Sequence, residues 1–240
     1  MSEKNHNYVV ATIKSWNVRA FDERLARSPG RWTLITDPAE LTADRIRALK
    51  PRYVFFPHWS VRVPAEILGL AECVCFHETD LPFGRGGSPL QNLIARGFPD
   101  TKVTALRMTE ELDAGPIYMQ RPVSLEGLAE EIFVRVSAVV SDMILEIAAT
   151  EPVPRPQSGT ATVFKRRKPE QSEITPDLKT LKELFDHVRM LDAEGYPKAF
   201  LRVGDFRLEF TRPALRSGEV LADVRISKVT DAADGIEEKK

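Results

Sequence analysis

Short apolar runs alternate with segments of helical spacing along the first half of the chain. The apolar runs have the length of buried strands, and the segments between them place apolar side chains on one helical face. The predicted strands are residues 8–13, 32–36, 53–56 and 73–76, and the predicted helices are residues 18–27, 41–49 and 64–70. This βαβ order predicts an α/β fold with a Rossmann-like, mostly parallel sheet and helices on both faces.

The second half of the chain continues this pattern and then changes character. Extended segments are predicted at 103–108 and 117–120, and the clearest helix is predicted at 128–147. Three prolines in residues 151–156 are typical of a linker. We therefore expect a catalytic domain over 1–156, a small C-terminal α+β subdomain over 157–227 and a polar tail over 228–240.

Within the predicted C-terminal subdomain, one helix and one hairpin are expected. Thr175 and Pro176 are predicted to begin a helix over 177–191. Two extended runs, 199–203 and 206–210, flank Gly204 and Asp205, a pair that favours a hairpin turn.

Charge and cysteine content narrow the class of protein. Lys and Arg number 34 against 35 Asp and Glu, so the chain has no broad basic excess and a nucleic-acid partner is disfavoured. Two cysteines, Cys73 and Cys75, do not make a disulfide framework. No apolar run has the length of a membrane span and the N-terminal residues lack a signal-peptide pattern, so we expect a cytoplasmic protein without a membrane partner.

The candidate chemistry lies between residues 77 and 115. His77 ends a predicted strand, and Asp113 begins a turn after the next strand. Ligands of open α/β sheets bind outside the carboxyl ends of the strands. If both strand ends lie on the same rim of the sheet, His77 and Asp113 can meet there. A carboxylate next to an imidazole orients it and favours its charged form, which suits acid–base catalysis.

A glycine-rich loop, residues 83–89 (FGRGGSP), lies between the two candidate residues. Its spacing is not that of a dinucleotide-binding loop, and it does not follow the first strand, so a dinucleotide site is disfavoured. We expect Arg85 and Gly87 of this loop to contact the substrate. We expect the same of Lys14, Trp16 and Asn17, which follow the first predicted strand.

Residues 76–90 (FHETDLPFGRGGSPL), followed by 112–115 (LDAG), resemble the formyltransferases that use N10-formyltetrahydrofolate. The pattern of that family is Asn-x-His, then Leu-Pro-x-x-x-Gly, then Asp-x-Gly after the next strand. Residues 166–172 (RRKPEQS) and 188–200 (VRMLDAEGYPKAF) are similar to the C-terminal part of the sugar-modifying members. The resemblance covers most of the chain.

This resemblance implies roles for residues at matching positions. His77 would be the catalytic histidine, Asp113 would hold and polarise it, and no metal is required. The expected folate contacts are Trp59, Val61, Arg62, Val63, Thr109, Glu110, Glu111 and Leu112.

One position departs from the family pattern. Cys75 stands where the family has the asparagine whose amide helps to stabilise the tetrahedral oxyanion. Because a thiol is a weak hydrogen-bond donor, three interpretations stay open. The oxyanion is held by protonated His77 and backbone amides, another amide such as Asn92 replaces the missing one, or the chain is a poor or inactive relative.

The expected function is formyl transfer from N10-formyltetrahydrofolate to the primary amine of a nucleotide-linked sugar. A siderophore-precursor amine and methionyl-tRNA are alternative acceptors, and water would be the acceptor in folate hydrolysis. A non-catalytic folate-binding protein is the alternative from another class. The resemblance to sugar enzymes also implies a possible homodimer.

Overall fold

The computed structural model describes residues 6–229, which divide into two compact units. The first unit contains residues up to Leu90 together with 99–126 and 132–166. The second contains residues 91–98, 127–131 and the chain from Arg167 onwards.

The first unit is built around a six-stranded sheet. Its strands are β1 (Asn7–Ala11), β2 (Arg31–Ile35), β3 (Tyr53–Pro57), β4 (Glu72–His77), β6 (Asp100–Arg107) and β7 (Ile117–Ser124). The two-residue strand β5 (Arg85–Gly86) lies outside this sheet. The strand order is β2-β1-β3-β4-β6-β7, with parallel pairing from β2 to β4 and antiparallel pairing for β6 and β7. The predicted mostly parallel α/β fold is confirmed.

The central strands are buried because helices cover the sheet. Val9, Val54 and Val74 have no exposed surface, and Phe55 lies among them. Apolar runs of this kind, without alternation, are typical of parallel strands buried on both faces. Up to residue 150 the helices of the chain are α1 (Ser15–Ala20), α2 (Ala43–Leu49), α3 (Ala65–Leu70), α4 (Pro89–Ile94), most of which belongs to the second unit, and α5 (Ala129–Thr150).

The first helix begins earlier than predicted. It starts at Ser15 and continues through a π-helical turn, Phe21–Leu25. Trp16 and Asn17 therefore lie in its first turn and are buried, whereas the sequence pattern had placed them in a loop.

The second unit contains helix α6 (Leu181–Arg189) and a three-stranded antiparallel sheet. Its strands are β9 (Ala199–Val203), β10 (Phe206–Arg216) and β11 (Glu219–Lys228), so the predicted hairpin at Gly204 and Asp205 is present. The strand β8 (Val163–Phe164) belongs to the first unit and pairs with β5.

Two predictions for the second unit were wrong. Helix α6 begins at Leu181 because Thr180 and Glu183 form a reciprocal capping box, and Thr175 does not begin the helix. The hairpin strand was expected to end at 210, but β10 continues through a bulge that accommodates Pro213 and then pairs with β11. Lys228 ends β11, whereas the predicted tail began there; residues 230–240 of that tail lie outside the described residues.

None of the helices within residues 6–229 combines the length and the apolar character needed to cross a membrane.

Candidate active site

His77 lies at the carboxyl end of β4, between β3 and β6, and only 7% of the residue is exposed. Its Nε2 lies 2.8 Å from the carbonyl oxygen of Gly84. A carbonyl oxygen only accepts hydrogen bonds, so Nε2 carries a proton and donates it. The other ring nitrogen, Nδ1, therefore faces the remaining partner, Asp113.

Asp113 lies beside His77, but the two strands do not end at the same rim. β6 runs antiparallel to β4, with Arg107 opposite Val74, so the loop after β6 has to return towards the carboxyl end of β4 to bring Asp113 to His77. The Oδ2 of Asp113 is 3.7 Å from His77 Nδ1 and accepts a hydrogen bond of 2.9 Å from the backbone N–H of Gly86. Asp113 adopts a left-handed backbone conformation, with φ of 54°. The turn that follows Asp113 needs glycine at position 115, because a Cβ on Gly115 would lie 1.8 Å from the carbonyl oxygen of Arg107.

The glycine-rich loop links the two side chains and is itself held by a later segment. Gly84 accepts from His77 through its carbonyl, and its N–H donates to Thr162 Oγ1 at 2.7 Å. The β5 residues pair in parallel with β8. Glycine is required at Gly87 because a Cβ there would lie 2.4 Å from the Cβ of Arg166.

Gln157 contributes to this arrangement and was not found from the sequence. Its Nε2 donates to the carbonyl oxygens of Asp113 at 2.7 Å and Gly115 at 2.9 Å. Its Oε1 accepts from Arg85 Nη2 at 2.8 Å. Gln157 and Thr162 follow a proline-rich stretch that carries no motif, so no local pattern marks them.

Arg85 was expected to contact the substrate, and its guanidinium is engaged within the protein. Besides Gln157, Nη1 reaches Glu111 Oε1 at 3.3 Å. Glu111 is 77% exposed, so solvent screens this ion pair. A substrate contact by Arg85 or Gly87 stays a prediction.

Cys75 points to the same face of β4 as His77, because residues two apart on a strand share a face. Burial, with a smaller contribution from the Asp113 charge, raises the pKa of the Cys75 thiol well above its usual range. The group is therefore a neutral thiol at ordinary pH and a poor nucleophile. The suggested replacement amide, Asn92, accepts a hydrogen bond from Arg96 through its Oδ1 at 2.8 Å.

The first expected folate segment follows β3. Val63 is buried, whereas Val61 is 43% exposed and Arg62 is also exposed. The indole Nε1 of Trp59 is buried, and it has no hydrogen-bond partner within residues 6–229. A buried donor without an acceptor is costly, but Trp59 packs against the hydrophobic core and its Nε1 is covered by protein, so this atom gives no direct evidence for a folate contact.

The second expected folate segment is an exposed loop between β6 and β7. Thr109 Oγ1 donates to the backbone carbonyl of Glu111 at 2.9 Å, which turns the chain towards Asp113. Glu110 is exposed, and Leu112 is 71% exposed, which leaves an apolar side chain at the tip of the loop.

The residues expected to bind substrate after β1 have other contacts. Trp16 stacks on Phe133 with 5.1 Å between the ring centroids, and Lys14 Nζ lies 5.4 Å from the Trp16 ring. Asn17 Nδ2 donates to Thr12 Oγ1 and to the carbonyl oxygen of Pro57. Asn17 thus ties the ends of β1 and β3 together, and a substrate role for the three residues stays a prediction.

A second pair of ionisable side chains lies next to His77. His58 follows β3, Glu78 follows β4, and His58 Nδ1 is 3.7 Å from Glu78 Oε1. Burial, together with the charge of Lys14, lowers the pKa of His58 to about 3, and burial raises the pKa of Glu78. The sequence pattern did not identify Glu78, although its place beside His77 at a strand end was a usable signal.

The sheet is mostly parallel, and a histidine–aspartate pair lies at the carboxyl end of β4. The protein is therefore an α/β protein with a candidate acid–base site. A family model described as "Methionyl-tRNA formyltransferase, C-terminal domain" matches residues 169–227. The solved structure "Methionyl-tRNA formyltransferase from Clostridium thermocellum" is 48% identical, with a TM-score of 0.89, and the match covers 93% of this chain and 100% of that one. The chain belongs to the formyltransferase family.

More distant relatives agree with this assignment. A methionyl-tRNA formyltransferase from Thermodesulfovibrio yellowstonii is 25% identical over 202 residues, which are 81% of this chain. The chain spans 65% of the length of that relative, so less than two thirds of it is represented here. A 4-N formyltransferase structure from Francisella tularensis matches with a TM-score of 0.67, 93% coverage of this chain and 99% of that one, and 15% identity, which shows a shared fold.

Proposed function

We propose that this chain transfers a formyl group from N10-formyltetrahydrofolate to a primary amine. The observation that carries the proposal is the orientation of His77, whose Nε2 is fixed on Gly84 while Nδ1 lies beside Asp113. The folate would bind along the Val61–Val63 segment and the Thr109–Leu112 loop.

The proposed reaction passes through a tetrahedral adduct. The amine nitrogen attacks the formyl carbon, and negative charge develops on the formyl oxygen. Because Nε2 of His77 already donates to Gly84, a second proton must reside on Nδ1, and the Asp113 carboxylate stabilises the resulting imidazolium. The Nδ1–H of this cation then donates to the oxyanion, a role for which the weak Cys75 donor is poorly suited.

The adduct collapses when the bond between the formyl carbon and N10 breaks. The attacking nitrogen must lose a proton and N10 must gain one, so the step needs a proton carrier. Water or Asp113 can serve, and no metal is needed for this chemistry.

For the acceptor, we propose the α-amine of methionyl-tRNA in preference to an amino sugar. This reverses the order expected from the sequence, and it rests on the names of the relatives reported above. A specific observation keeps a nucleotide-linked amino sugar as the second candidate. Several cations of the second unit are paired with carboxylates, which reduces their availability to RNA phosphates; the pairs are Arg189–Asp186, Lys198–Asp192, Arg207–Glu209 and Arg212–Asp223.

The test incubates the protein with N10-formyltetrahydrofolate and either methionyl-tRNA or a panel of nucleotide-linked amino sugars. Folate absorbance and product mass are followed. We expect one acceptor to gain one formyl group, with activity lost in His77→Asn and kept in the control His6→Asn, which changes a histidine that pairs with Glu151. If the acceptor is tRNA, turnover at low substrate falls as salt rises, because phosphate contacts are screened.

Full turnover by His77→Asn would contradict the proposed mechanism. Folate binding without a formylated product from any amine would favour the non-catalytic alternative.

A further inference from the structure

The His58–Glu78 pair lies at the carboxyl ends of two neighbouring parallel strands, and the mechanism above does not use it. Only 17% of the His58 side chain and 11% of the Glu78 side chain are exposed. Burying ionisable groups is costly, so a pair of them at a ligand-binding rim calls for an explanation.

Aromatic rings hold the imidazole of this pair in place. The rings of Trp16 and Phe133 pack edge-on against His58, with centroid distances of 5.6 and 4.8 Å. His58 also has φ of 52°, a conformation that a histidine adopts only at some cost. The fixed ring keeps Nδ1 3.7 Å from Glu78 Oε1, which is a contact without a direct hydrogen bond.

Burial shifts the pKa values of His58 and Glu78 in opposite directions. It is the largest cause of the lowered pKa of His58, about 3, so this imidazole is neutral at ordinary pH. It is also the largest cause of the raised pKa of Glu78, a direction that His77 opposes and Asp113 reinforces. A carboxylate with a raised pKa is a stronger base than an exposed one.

The charged and titratable groups that face this pair come from three elements. They are Lys14 after β1, Cys75 and His77 of β4, and Asp113 from the loop after β6. Asp113 already accepts from Gly86 and lies beside His77, where its charge supports the imidazolium. The charge of His77 also acts on Glu78, but the imidazole that the Glu78 carboxylate contacts is that of neutral His58, so Glu78 is a second candidate base at this rim.

We propose that Glu78, held beside neutral His58, is the base that takes the proton from the acceptor amine. This inference rests on the proposed formyl transfer. As the bond between the amine nitrogen and the formyl carbon forms, an N–H proton passes to a Glu78 carboxylate oxygen. As the bond from that carbon to N10 breaks, the bonding pair moves to N10, which receives the proton from the Glu78 carboxyl group, and Glu78 returns to its ionised form.

The test compares Glu78→Gln, Glu78→Asp and Asp80→Asn with the wild-type protein over a range of pH, using one acceptor throughout. Asp80 is a matched control because it is an exposed carboxylate two residues away that pairs with Lys102. We expect Glu78→Gln to lower kcat by about 100-fold, the lower end for loss of a general base. Glu78→Asp should recover part of this loss, and Asp80→Asn should retain the wild-type kcat.

The pH profile separates a base from a structural residue. Wild-type kcat/KM falls on the acid side as Glu78 becomes protonated, in addition to any fall caused by protonation of the acceptor amine. Because the acceptor is the same, a change in the acid limb between wild type and Glu78→Gln reports Glu78 itself, and we expect its contribution to be lost.

Two results overturn the proposal in different ways. In the first, the wild-type protein formylates the acceptor and Glu78→Gln has the same kcat and the same acid limb of the pH profile. Glu78 is then not the base, and the proposed formyl transfer is unaffected. A wild-type protein that formylates no amine contradicts the proposed function, and the role of Glu78 falls with it.

Discussion

His77 donates from Nε2 to the carbonyl oxygen of Gly84 over 2.8 Å, so a backbone group of the glycine-rich loop determines which nitrogen faces Asp113. This bond links the tautomer of the imidazole to the position of the loop. A change that moves Gly84 should therefore affect the reaction without touching His77 or Asp113.

Thr162 offers such a change, because its Oγ1 accepts from the N–H of Gly84 at 2.7 Å. We expect Thr162→Val to lower kcat by about fivefold, corresponding to about 1 kcal/mol for one lost hydrogen bond. Thr162→Ser keeps the hydroxyl and should keep the rate. Steady-state kinetics of the three proteins check this expectation, and equal kcat values in Val and Thr proteins would show that the bond does not orient His77.

Cys75 supplies a prediction about a gain of activity. An asparagine amide in its place would add a donor on the face of β4 that carries His77. Because one oxyanion donor contributes about 10²–10³ in rate in other enzymes, we expect Cys75→Asn to raise kcat by about tenfold or more. Cys75→Ala serves as the control and should leave kcat unchanged, since the neutral thiol contributes little.

If Cys75→Asn leaves kcat unaltered while Cys75→Ala behaves as wild type, protonated His77 and backbone amides already provide the stabilisation. A large loss in Cys75→Ala would instead give the thiol a role in the reaction that its weak donor strength does not predict.

The parallel part of the sheet could be predicted from the sequence because the local patterns of its strands agree with the fold. The apolar runs in β1, β3 and β4 predicted the parallel sheet, since strands buried on both faces need continuous apolar residues. His77 was placed at a strand end by the same reasoning. The structure brings it to Asp113, but by the return of the loop after the antiparallel strand β6 and not by two strands ending at one rim.

The residues that were missed act through distant contacts. Gln157 lies 44 residues from Asp113 and follows a proline-rich stretch, so its hydrogen bond depends on how the chain returns to the sheet. The continuation of β10 beyond residue 210 was missed because Pro213 interrupts its pattern, and a bulge that accommodates a proline cannot be read from periodicity alone. The substrate contact of Asn17 stays a prediction. Its hydrogen bonds to Thr12 and Pro57 were not foreseen, because short polar side chains at strand ends also satisfy neighbouring groups of the protein.

The close approach of backbone at Gly115 leads to a prediction about the free energy of unfolding, for which Gly69 is the control. A Cβ at Gly115 would lie 1.8 Å from the carbonyl oxygen of Arg107, whereas a Cβ at Gly69, in helix α3, meets nothing within 4 Å. We expect Gly115→Ala to lower the free energy of unfolding by about 3 kcal/mol, the upper part of the usual range for point mutations. Gly69→Ala should raise it by about 0.5 kcal/mol, because alanine favours a helix.

Denaturant unfolding of both variants measures the difference. A Gly115→Ala protein as stable as wild type would mean that the turn before β7 rearranges without cost, and its activity would then report whether Asp113 moved.

Protonation of Glu72 is expected to make the stability of the protein depend on pH. Its carboxylate accepts from Tyr118 and pairs with Arg52 at 2.6 Å. Burial alone would raise the pKa of Glu72, but the hydrogen bonds from Tyr118 and Arg52 outweigh it and lower the pKa. A carboxyl group with a lowered folded-state pKa stabilises the protein above its unfolded-state pKa, about 4.5 for Glu72, and this stabilisation is lost as pH falls through the folded-state value.

We therefore expect wild-type stability to decrease below about pH 4.5, and Glu72→Gln to decrease less steeply there because it has no such carboxylate to protonate. Glu66→Gln is the control, since Glu66 is a more exposed partner of Arg47. Unfolding free energies of the three proteins between about pH 3 and 7 test this expectation. Parallel curves for wild type and Glu72→Gln would mean that the carboxylate is no better stabilised in the folded protein than in the unfolded chain, so that Arg52 and Tyr118 only offset the cost of its burial.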